Sequence, residues 1–107
     1  MTIIQERFLE QFAQQLVDKG FRRMNFRRAV VLEKRVTISE GMDCNVHLSW
    51  LPKSWPVVKV QIRIGSILLP YDVTVGLLMD YAGGDDLLAQ LVRKATEGFA
   101  DIIIKQL

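Results

Sequence analysis

The spacing of apolar residues changes twice along the chain, and those changes limit most strongly what it can fold into. In residues 3 to 19, Ile4, Phe8, Phe12 and Leu16, flanked by Leu9, Ala13 and Val17, recur at helical spacing with Gln and Glu on the other side. That pattern predicts an amphipathic helix. Thr2 stands where an N-cap belongs and Gly20 where a left-handed C-terminal residue belongs, with Phe21 folding back onto the last turn.

From Phe21 to Val75 the period is two. Met42, Cys44, Val46, Leu48 and Trp50 alternate with Asp43, Asn45, His47 and Ser49, and Val58, Val60, Ile62 and Ile64 alternate with Val57, Lys59, Gln61 and Arg63. These are antiparallel strands with one buried and one wet face. Leu51-Pro52-Lys53-Ser54-Trp55-Pro56 separates them, and its two prolines, which cannot donate to a ladder, make it a loop. Upstream, Val30, Leu32, Lys34, Val36 and Ile38 form a further alternating set closed by a turn at Ser39-Glu40-Gly41, and Arg22 to Arg28 is a candidate short strand. Ile67-Leu68-Leu69 and Val73 to Leu78 predict a last strand or strand pair near residues 67 to 79.

Gly83-Gly84-Asp85-Asp86 then breaks the chain, and Leu88, Leu91, Val92, Ala95, Phe99, Ile102 and Ile103 carry a second helical stripe through residue 106. Gly98 inside it costs about 1 kcal/mol relative to Ala, which a close packing contact would explain. The order predicts an α+β fold over residues 1–107 as a single domain: an antiparallel sheet of four to five strands with the N-terminal and C-terminal helices packed on one face. With 50% apolar residues in 107, the chain can bury a core without staples and is not disordered. It has no uncharged apolar run of membrane-spanning length, its first residues are acidic and amphipathic where a signal peptide is basic, and its one cysteine cannot close an intrachain disulfide. The expectation is a soluble, cytoplasmic protein with no membrane partner.

The inventory for catalysis is thin. Cys44 and His47 would suit a nucleophile and its base, but three residues apart on a strand they point to opposite faces. One Cys and one His do not furnish a structural zinc site. Asp85 and Asp86 read as helix-capping residues, and Gly83-Gly84 lacks the Lys-Ser/Thr that a phosphate loop needs. No catalytic residue, metal or cofactor is assigned, and the chain is expected not to be an enzyme.

Charge is segregated. Residues 1–18 carry one base and three acids, 19–63 ten bases and three acids, and 64–107 three bases and six acids. Clustered cations raise the local field, and arginine's planar fork suits carboxylate and phosphate alike. Trp55, on a proline-stiffened loop beside Lys53, suits a partner anchor; its other reading is a cap on the open end of the core. The binding residues assigned are Arg22, Arg23, Arg27, Arg28, Arg35, Lys53 and Trp55, converging on one patch that engages a protein with an acidic surface. Immunity proteins, secretion chaperones and adaptor subunits share this size and this scarcity of catalytic groups. The first alternative is a nucleic-acid-binding regulatory protein with the same arginines on phosphates, disfavoured because acidic flanks cancel the long-range field and Phe21 and Phe26 form no stacking ladder. The second is an enzyme built on dispersed carboxylates and arginines. A homodimer through a sheet edge or the isoleucine-rich second helix is a further expectation.

Overall fold

A computed structural model of the chain describes residues 1–39, 42–81, 87–91, 93, 94 and 97. The elements are α1 (Ile3–Asp18), β1 (Arg22–Phe26), β2 (Ala29–Ser39), β3 (Met42–Trp50), β4 (Val57–Ile64), β5 (Ile67–Thr74) and α2 (Val75–Tyr81). The strands form one antiparallel sheet in sequence order, a meander. The α+β class, the antiparallel sheet and the N-terminal helix are as the periodicity predicts.

Local chemistry fixes both ends of α1. The Thr2 hydroxyl accepts from the Gln5 N–H (3.1 Å) while the Gln5 side chain accepts from the Thr2 N–H (2.9 Å), a reciprocal capping box. At the other end Gly20 lies at φ +95°, the Gly20 N–H donates to Val17 O and the Phe21 N–H to Leu16 O, both at 2.9 Å. These are the two bonds of a Schellman motif, which only a residue tolerant of left-handed backbone closes cheaply. The Lys34 ammonium donates to the carbonyl of Lys19, placing a cation at the negative end of the helix.

The covered face of the sheet carries Val30 and Leu32 from β2, Cys44, Val46, Leu48 and Trp50 from β3, Val58, Val60 and Ile62 from β4 and Val73 from β5. Leu9, Phe12, Ala13 and Leu16 of α1 pack on it, joined by Val75 and Leu78 of α2 and by Leu91. Burial of these rows turns the intervening residues away from α1: Val31, Glu33 and Arg35 of β2, Asn45, His47 and Ser49 of β3, and Lys59, Gln61 and Arg63 of β4, of which Val31 is itself buried. This uncovered face carries whatever the sheet presents.

One expectation about the elements changes. The last strand does not run to residue 79: β5 ends at Thr74, whose hydroxyl accepts from the Leu77 N–H (3.2 Å) and opens α2. An apolar run such as Val73 to Leu78 does not by itself distinguish strand from helix, and the threonine cap decides. The second helical stripe is seen only in part, residues 87–91, 93, 94 and 97 being helical; Asp85, Asp86, Gly98 and the stretch from Phe99 to Leu107 lie outside the described residues, as does the turn at Glu40-Gly41. For pairing through a sheet edge, the two edges are unequal. Ile64 and Ile67 flank a two-residue turn with Gly65 at φ +60°, so the backbone of Leu68, Pro70 and Asp72 points outward from β5. Pro70 brings no N–H to that edge, which blunts it, and β1 presents only five residues.

Candidate functional site

The register decides which cations share a surface. Arg23 pairs with Leu32, whose side chain is in the core, so Arg23 lies on the helix-covered face. There its guanidinium grips the Glu10 carboxylate of α1 through two bonds of 2.9 and 3.1 Å. The fork bond from Arg23 holds the Glu10 carboxyl below its ordinary range, and the same bond raises Arg23 further. Arg22, one residue earlier, points to the opposite face. The seven assigned residues therefore do not converge on one patch, because neighbours on a strand diverge.

Arg27 and Arg28 form the two-residue turn between β1 and β2, both in left-handed backbone at φ 48° and 68°. Positive φ at both central positions is the signature of a type I′ hairpin, normally built from Asn and Gly. Arginine there costs about 1 kcal/mol per residue in steric strain. This turn and the Leu51–Pro56 loop lie at the same end of the sheet, since Val30 pairs with Trp50. Arg27 lies over the Phe26 ring, 5.3 Å from its centroid. Phe26 is 63% exposed and Trp55 78% exposed, so Trp55 does not cap the core; Trp50 does, at 4%.

An open depression of about 530 Å³ joins these groups, lined by Phe26, Arg27, Ala29, Ser49, Leu51, Trp55, Val57 and Lys59. Its floor is mostly carbon and its rim carries Arg27 and Lys59. The loop that presents Trp55 is braced by backbone bonds: Ser54 N–H to Leu51 O (3.3 Å), Val57 N–H to Trp55 O (2.8 Å) around Pro56, and Val75 N–H of α2 to Pro56 O (2.8 Å). Lys53 sits in this loop at φ +62° but lines a separate hollow of about 200 Å³ with Glu6, Leu9 and Glu10 of α1.

A second depression of about 570 Å³ occupies the other half of the uncovered face. Two adjacent cross-strand rows build it: Arg22, Glu33, His47 and Gln61, then Arg35, Asn45 and Arg63. Arg35 keeps a 3.5 Å contact with Asp43. The His47 Nδ1 is shielded from solvent and has no hydrogen-bond partner among the described residues. Cys44 faces the core, away from His47, and burial pushes its thiol up. Among the described residues no group of three or more His, Cys, Asp or Glu could hold a metal, and no helix is long and apolar enough to cross a membrane.

Sequence reasoning missed Phe26, Lys59 and Arg63. The alternation already placed Lys59 and Arg63 on a wet face, but which cations they join depends on cross-strand register. Compared with known proteins, the chain matches no family model, no curated protein and no solved structure.

Proposed function

We propose that the chain is a non-enzymatic binding module that docks an acidic, apolar-anchored segment of a protein partner at the Phe26–Trp55 end of its uncovered sheet face. The observation that carries this reading is the pair of aromatic rings left in water there. Burying a large apolar side chain yields about 1.5–3 kcal/mol, and a fold optimised only for stability would not hold two such rings outward, one on a braced loop and one at the end of β1 beside a strained turn. Rigid aromatic anchors with arginine at the rim are the composition of interface hot spots. Arg27, Arg28 and Lys59 have no acidic partner among the described residues, so acidic groups of an incoming segment would find them unpaired. Arg23 leaves the recognition set, being committed to Glu10.

Nucleic acid fits less well. The two exposed rings lie at one end of the face, not along a track on which successive bases would stack. Capture from native lysate, with and without nuclease and at low and high salt, discriminates the two. A protein retained after nuclease and through moderate salt is expected. Recovery of nucleic acid alone, lost steeply as salt rises, overturns the reading.

A further inference from the structure

The depression around His47 shares no lining residue with the aromatic end of the face, and its chemistry is different. Arg22, Arg35 and Arg63 reach it from three strands. Arg35 and Arg63 sit two strands apart in one row, about 10 Å between backbones, a gap that two long side chains leaning inward close around one small group. Asn45 lies between them and offers an amide. Arg63 has no ion pair among the described residues, and the guanidinium of Arg22 touches only the Met24 sulfur at 3.2 Å. The Lys34 ammonium is held at the Lys19 carbonyl on the covered face, so Arg22, Arg35 and Arg63 stand against Glu33 within the depression and Asp43 at its rim, which leaves one positive charge uncompensated.

Like charges gathered on one sheet face repel, so Arg22, Arg35 and Arg63 lining one depression with the amides of Asn45 and Gln61 carry a cost that a bound anion would relieve. We propose that this depression is an oxyanion site that takes a phosphate monoester. Arg22 and Arg63, which make no ion pair among the described residues, can each present a guanidinium fork to phosphate oxygens. Glu33, pairing with both Arg22 and His47 across the strands, supplies an acceptor for a hydroxyl beside the phosphate and keeps the site from attracting monoanions indiscriminately.

The test is a titration of the ¹⁵N-labelled full chain with inorganic phosphate and, separately, with glycerol phosphate, using chloride at matched ionic strength as control. Saturable shifts at Asn45, Gln61, the His47 ring and the Arg63 Nε–H are expected, with none at Trp55. Tighter binding of glycerol phosphate assigns the site to organic phosphates, and equal binding assigns it to free phosphate. Arg63→Gln should weaken either ligand by at least about tenfold, whereas Glu33→Gln should tighten inorganic phosphate, a reversal that general damage to the fold does not produce. Shifts that follow ionic strength alone, or that survive Arg63→Gln with its unfolding midpoint unchanged, overturn the site. Because Trp55 is remote from it, failure here leaves the docking surface untouched, and loss of docking in a Trp55 variant leaves this site untouched.

Discussion

Replacing Arg23 separates holding the fold from recognising a partner. Its two bonds to Glu10, 2.9 and 3.1 Å, join β1 to α1, with side chains 33% and 61% exposed. A bidentate pair is the strong kind, but at this exposure water screens it, so a double-mutant cycle over Arg23→Gln and Glu10→Gln should give a coupling of about 0.5–1 kcal/mol. Arg23→Glu, which loses the pair and sets two carboxylates together, should cost about 1–2 kcal/mol. In a domain of this size that lowers the thermal midpoint by roughly 4–10 °C. The folded Glu10 carboxyl lies below its unfolded value, so its contribution is complete above the ordinary carboxylate range and is lost as pH falls through the folded value. Arg23 is raised, so its share is present at every pH below its ordinary value and does not vary over this window. Urea unfolding of the four proteins at neutral pH and in acid measures the coupling in both regimes. A coupling indistinguishable from zero at neutral pH, or one that survives unchanged in acid, refutes the structural role of the pair.

Other consequences are simpler. Replacing Arg27-Arg28 by Asn-Gly should raise stability by about 1 kcal/mol, relieving two left-handed arginines, while weakening partner capture; a loss of stability would show that the strain is absent. Gly20→Ala should cost about 1–2 kcal/mol in urea unfolding, since φ is +95° and the new Cβ would meet the Lys34 ammonium at 3.1 Å. Leu48→Ala, at a fully buried site on the central strand, should cost about 2–5 kcal/mol, and a cost below 1 kcal/mol would place Leu48 outside the core.

Much of the architecture is written in the spacing of apolar residues. The rows Met42 to Trp50 and Val58 to Ile64 announce two faces because burial admits only one parity per strand, and the Thr2 and Gly20 caps act through neighbours in sequence. The candidate site is less legible because it depends on register. Arg27-Arg28 carries none of the usual turn chemistry, so the hairpin that aligns Arg22 with Glu33 and exposes Phe26 gives no local signal. One signal was available: adjacent residues of a strand face opposite ways, so Arg22 and Arg23 could not serve the same surface. Trp55 has no period to place it inside or outside; the bonds around Pro56 turn it outward.

Placement of recognition at the Phe26–Trp55 end is tested most directly by partner capture with two single variants of equal amount and verified fold, Trp55→Ser and Arg23→Gln. Loss of a hot-spot tryptophan is worth 2 kcal/mol or more, so capture by Trp55→Ser should weaken by about 30-fold or more while Arg23→Gln retains it. Full capture by Trp55→Ser together with loss in Arg23→Gln would contradict the assignment.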